Sequence, residues 1–184
     1  MSDHHFYSDK SNFKSAVLDG YLFLSETYKP ETEEKLEDKI VILGGGPGAR
    51  YGRGLCGIIE KLGLAMNTVE IHTWYHLFML RTKHADEISK ERKKREAFDV
   101  KISFLGLWDC TGNVGINPIV FPYELINPSV EHIRHAVAKD ETCKRSLFVA
   151  TIGPSFTRPT LTVRWSSLLD GVRVQNSSLV VYLS

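Results

Sequence analysis

Apolar positions first gather between residues 13 and 28, where Phe13, Val17, Tyr21, Leu24 and Tyr28 follow at steps of four, four, three and four. That spacing places them on one face of a helix. Lys29-Pro30 ends it, because proline disfavours helical conformation in the residue before it. The acidic stretch Glu31 to Asp38 is expected as a solvated loop or short helix. Lys39-Ile40-Val41-Ile42-Leu43 is a short apolar run stopped by glycine, the pattern of a strand buried on both faces. The glycine-rich turn Gly44-Gly45-Gly46-Pro47-Gly48 follows. A helix is then predicted from about Ala49 to Leu62, closed by Gly63 as its C-cap.

Further along, a helix is predicted over Thr68 to Arg81, with Ile71, Trp74, Tyr75, Phe78 and Met79 as core contacts. Charge dominates Lys83 to Arg95, which reads as an exposed helix or loop. Phe98 to Leu107 reads as a second buried strand, Asn113 to Asn127 as a loop, and Pro128-Ser129 as the start of a helix through about Lys139 with Ser129 as its cap. In the tail, Leu161-Thr162-Val163 and Leu179 to Leu183 are candidate strands. Strand, glycine turn, helix and strand again predict an α/β fold with a mainly parallel sheet flanked by helices.

Composition narrows the function classes. The chain has 184 residues, 42% of them hydrophobic, a length and content suited to one domain with a real core. A net charge of +1 argues against a dedicated nucleic-acid binder. No apolar run approaches the roughly 18 residues of a transmembrane helix, and Met1-Ser2-Asp3-His4-His5 has no signal-peptide character. The three cysteines, Cys56, Cys110 and Cys143, form no C-x-x-C pair, so neither a zinc knuckle nor a disulfide framework is expected and a cytoplasmic setting is the default. His72 and His76 are four apart, but no glutamate sits in the zincin position and no third ligand is indicated, so they are read as packed or solvent-facing histidines. The basic cluster Lys90 to Arg95 is interleaved with Glu91 and Glu96 and reads as a solvated face. No cofactor and no metal are expected.

The glycine turn admits three readings from its residues alone. The first is a plain tight turn. The second is a dinucleotide cradle: Gly44, Gly46 and Ala49 fit G-x-G-x-x-A, with Glu70 near the place of a ribose-binding acid. The third is a nucleophile elbow, G-x-S-x-G, in which Gly44 and Gly48 hold the glycine positions and Gly46 stands at the serine position.

Three ordered blocks favour the elbow. Gly44-Gly45-Gly46-Pro47-Gly48-Ala49 with Gly52-Arg53-Gly54-Leu55-Cys56-Gly57 resembles the G-F-S-R-G-A and A-R-x-L-A-G segments of the α/β-hydrolase domain of type VI secretion lipase effectors and their fungal and bacterial relatives. Ile102 to Thr111, followed by Val114-Gly115, looks like that family's F-L-G-V-W-D-T-V strand end. Arg134-His135-Ala136-Val137-Ala138-Lys139-Asp140-Glu141 looks like its R-H-A-x-x-x-D-E helix. The resemblance covers about residues 15 to 150, within a single domain over 1–184 whose tail, 155–184, diverges.

The resemblance implies an incomplete α/β-hydrolase-like domain of esterase or phospholipase type. It assigns Asp109 to the triad acid, whereas a local reading leaves it as a carboxylate capping a strand end. Gly46 leaves the nucleophile position vacant, and Pro47 leaves the following position without the backbone N–H that would serve an oxyanion hole. The family's G-x-H-x-D-V-G-G-type histidine segment is not found, and His135 is expected to be structural. The chain is therefore expected to be catalytically inactive. The alternatives are a hydrolase completed by a partner and a nucleotide or flavin binder using Gly44 to Ala49. The family's opening strand is not found either, so exposed sheet edges are expected to invite a protein partner or self-association.

Overall fold

The computed structural model describes residues 3–32, 38–108, 121–124, 126–136, 173–176 and 179–183. The predicted apolar face of the first helix, α1 (Asp3–Thr27), is buried: Phe13, Val17, Tyr21 and Leu24 are inaccessible, and Tyr28, just beyond the helix, is nearly so. The run Ile40–Gly45 is strand β1. It turns at Gly46 into α2 (Pro47–Leu62), which ends at Gly63 with φ of 73° and the Gly63 N–H donating to the Ile59 carbonyl at 2.8 Å. After the short strand β2 (Leu64–Ala65) come α3 (Ile71–Met79) and α4 (Lys83–Glu96). Strands β3 (Ala97–Phe98), β4 (Ile102–Trp108), β5 (Ile133–Ala136), β6 (Arg173–Asn176) and β7 (Leu179–Leu183) complete the elements.

The main sheet has five strands in the order β5-β4-β1-β7-β6. Strands β1, β4 and β5 are parallel, while β7 runs antiparallel beside β1 and pairs in turn with β6. The α/β architecture expected from the strand–turn–helix pattern is thus present, and β7 is the tail strand predicted at Leu179 to Leu183. The other predicted tail strand, Leu161 to Val163, lies outside the described residues. No helix among the described residues is long and apolar enough to cross a membrane.

Three expectations are corrected. Residues 133–136 are strand, not helix: the Leu105 N–H donates to His132 O and the Glu131 N–H to Ile102 O, tying this segment to β4. Backbone groups on the open side of β4 outweigh a weak local helix preference, as tertiary pairing commonly does. Ser129 caps nothing there; its hydroxyl is buried against the Glu60 carboxylate. The strand expected over Phe98 to Leu107 is split. Ala97–Phe98 pairs with β2 in a separate two-stranded sheet, and an exposed Asp99, held by Lys93 at 2.7 Å, precedes β4. Helix α3 starts later than Thr68 because the Asn67 side-chain oxygen accepts the Val69 N–H at 2.9 Å, forming a local turn.

Helix α2 is enclosed by α1, α3 and α4 on one side and by the sheet on the other. Its basic residues are therefore buried and partnered. Arg50 lies 3.6 Å from Glu124 and over the Phe121 ring, and Lys61 reaches Asp86 at 3.0 Å and the Leu80 carbonyl at 2.5 Å. Lys61 thereby occupies carbonyl groups left open where α3 ends. Tyr21 ties α1 to the far end of α2: its hydroxyl donates to Gly63 O at 2.9 Å and accepts from the Ala65 N–H at 3.1 Å. Burial pushes this phenol well above its ordinary pKa, so it remains a donor.

Tyr21→Phe removes both hydrogen bonds and leaves a buried carbonyl and a buried N–H unsatisfied. Urea unfolding is expected to show a loss of about 1–3 kcal/mol. An unchanged midpoint and slope contradict this role for the hydroxyl.

Candidate functional site

The site begins with the meeting of a buried strand and a buried helix. β1 carries its apolar residues to Leu43 and then runs on as Gly44 and Gly45. A Cβ placed on Gly44 would overlap the Gly48 carbonyl and lie 2.7 Å from the Ala49 Cα, which are fixed backbone atoms. Glycine at position 44 lets the strand end and the first turn of the helix touch. Between them, Gly46 adopts φ of 52° and ψ of −123°, which side chains rarely tolerate. A Cβ on Gly46 would meet no atom within 4 Å, so the vacant position faces open space among the described residues. Pro47 occupies the first turn of α2, where a missing N–H costs the helix nothing.

The turn sits at the carboxyl end of the parallel strands, the usual place for sites in open α/β sheets. In register, Gly44 pairs with Leu107 and Gly45 with Trp108, while Leu107 and Trp108 pair with His135 and Ala136 of β5. The Gly46 N–H donates to the Trp108 carbonyl at 3.0 Å. Gly44 and Gly45 end the strand, Gly46 forms the turn, and Pro47 and Gly48 open α2. Asp109, the expected triad acid, follows Trp108 in the chain and lies outside the described residues, as do Cys110, Val114-Gly115, residues 137–141 and Cys143.

His135 is placed by the strand, half-buried, with Nδ1 3.5 Å from an Arg53 guanidinium nitrogen. Burial and the Arg53 charge hold its pKa down to about 4. A base must accept a proton, and a neighbouring cation opposes that, so His135 is poorly suited to general-base work. Sequence reasoning missed the Arg53–His135 pair because it joins residues on separate elements. The available signal was Arg53 standing between Gly52 and Gly54 in a glycine-rich stretch of the predicted helix. Cys56, also on α2, is buried, and burial raises its thiol pKa, which leaves it unreactive.

Glu70, the acid of the dinucleotide pattern, is not on a strand beside β1. It precedes α3 and is held by Arg92 at 2.6 Å. His72 and His76 are both exposed on α3.

A parallel strand turns here through a positive-φ glycine into a buried helix at the carboxyl end of the sheet, the arrangement of an open α/β protein. The family model described as the type VI secretion system (T6SS) phospholipase effector Tle1-like catalytic domain matches residues 8–153, and the chain belongs to that family. Uncharacterized protein YEL023C of Saccharomyces cerevisiae is 31% identical over 138 residues, covering 68% of this chain and 19% of that protein. The chain thus spans about a fifth of the length of this curated relative. No solved structure matches.

Two outcomes follow from the geometry. Gly44→Ala forces a methyl group against backbone and is expected to cost about 1–3 kcal/mol in urea unfolding, whereas wild-type stability would show that β1 and α2 do not meet this closely. For His135, the folded state holds the imidazole neutral down to about pH 4, while in the unfolded chain it takes a proton near its ordinary value of about 6.5. The unfolded state therefore gains the proton first as pH falls. Stability from this group is present above about pH 6.5 and lost towards pH 4. Unfolding of His135→Gln between those limits should show a flatter pH dependence than wild type; identical slopes contradict it.

Proposed function

We propose that the chain is a degenerate member of the esterase and phospholipase-like hydrolases, a pseudoenzyme that keeps the elbow and lacks its chemistry. The single observation that carries this reading is Gly46, which has the conformation of a strained elbow residue and no side chain. Acyl transfer through such a turn needs a hydroxyl nucleophile, a histidine base, an acid to orient it and oxyanion donors. Position 46 offers no hydroxyl. Position 47, which would give its N–H to the oxyanion, is proline. Loss of one such donor alone lowers rate by about a hundred- to a thousandfold. Asp109 remains the proposed position of the triad acid by resemblance, and a cytoplasmic setting remains the proposed location.

Purified protein is expected to hydrolyse short-chain nitrophenyl esters and phospholipid vesicles no faster than buffer. Gly46→Ser alone is expected to stay at background, because Pro47 still withholds its N–H. Wild-type turnover that disappears in Asp109→Ala overturns the reading in favour of a working hydrolase. Activity appearing only when another protein is added favours a hydrolase completed by a partner.

A further inference from the structure

The end of β4 touches the elbow twice, and only one of those contacts is ordinary sheet pairing. The backbone contact is the Gly46 N–H donating to the Trp108 carbonyl at 3.0 Å. The second is made by the indole. Trp108 lies beside Gly45 in the parallel register, so the two positions project to the same face of the sheet. A Cβ built on Gly45 would overlap the indole Nε1 and Cε2 and lie 2.9 Å from Cδ1. The indole therefore occupies the space that a side chain at position 45 would need, while remaining 37% exposed at the rim of the turn. Glycine at 45 has φ outside the left-handed region, so its backbone alone does not call for glycine; the neighbouring ring does.

We propose that Trp108 is the positioning residue of the elbow: its carbonyl holds the Gly46 N–H, and its indole, laid across Gly45, clamps the end of β1. The turn then needs no side chain of its own to keep its shape. A positive-φ glycine has more conformations open to it than any other residue, and its order must be imposed from outside. A side chain at 45 would overlap the indole where it now lies, so placing one there moves the ring, and the two positions are coupled. This rests on the reading of Gly44 to Ala49 as the site, yet its test reads backbone order and ring environment rather than hydrolysis. Measured esterase activity would overturn the proposed function and leave the clamp standing, and the reverse also holds.

The test is amide hydrogen exchange by NMR on the full chain, comparing Gly46 with Ile42 in the middle of β1. Trp108→Ala leaves the carbonyl and removes the ring. Gly46 exchange should accelerate by about tenfold or more while Ile42 changes by less than about threefold, the pattern of local opening. Trp108→Phe, which keeps a ring over Gly45, should restore most of the protection. Equal acceleration at both amides, or none at Gly46, overturns the proposal. A second measurement does not depend on Trp108→Ala folding. In protein carrying 5-fluorotryptophan, the resonance lost in Trp108→Phe identifies position 108. Gly45→Ala should shift that resonance and leave that of Trp74 in place. An unmoved Trp108 resonance contradicts the clamp.

Discussion

The contact between the end of β1 and the first turn of α2 is the constraint on which the rest depends. Gly44 faces the Gly48 carbonyl and the Ala49 Cα with no room for a methyl group. That approach sets the helix against the sheet closely enough to bury it almost entirely. Its buried side chains then organise their surroundings: Leu55, Ile58, Ile59 and Leu62 enter the core, Lys61 takes up carbonyls at the end of α3, and Arg50 holds Glu124 and Phe121. α1 closes over the same helix, with Phe13 against Tyr51 and Phe121.

Fold and catalysis make separable demands on this turn. The fold asks for small residues where strand and helix touch, for a residue able to hold φ near +52° and for a helix start. Gly44, Gly48, Gly46 and Pro47 meet all of these. Catalysis asks for a hydroxyl and an N–H at the two middle positions, and those are the features that glycine and proline lack. An elbow serine is held at a conformational cost of about 1–3 kcal/mol, and glycine relieves it. The turn is therefore better suited to its shape without the reaction than with it.

Much of this was legible in the sequence, and for local reasons. The face from Phe13 to Tyr28 shows itself by helical spacing, β1 by an apolar run stopped by glycine, and α2 by its flanking glycines. The local pattern left the turn open among three readings, and the elbow positions proposed for it rest on the family resemblance. What escaped was non-local. The segment 133–136 becomes strand because β4 offers it backbone partners, and nothing within those residues announces that. The burial of Arg50, Arg53 and Lys61 depends on what encloses α2. Trp108 over Gly45 depends on register between two strands sixty residues apart in the chain, roughly, and register is fixed only once the sheet forms.

The central claim is that the elbow is intact in backbone and empty in chemistry. The most direct measurement is incubation of the native protein with a fluorophosphonate probe, followed by intact mass and peptide mapping, since such a probe records an activated hydroxyl whatever the natural substrate. The account predicts unmodified protein under conditions that label a working serine hydrolase to completion. A stoichiometric adduct that forms on the native protein and not on protein unfolded beforehand would contradict it, because it would reveal an activated nucleophile that Gly46 does not supply.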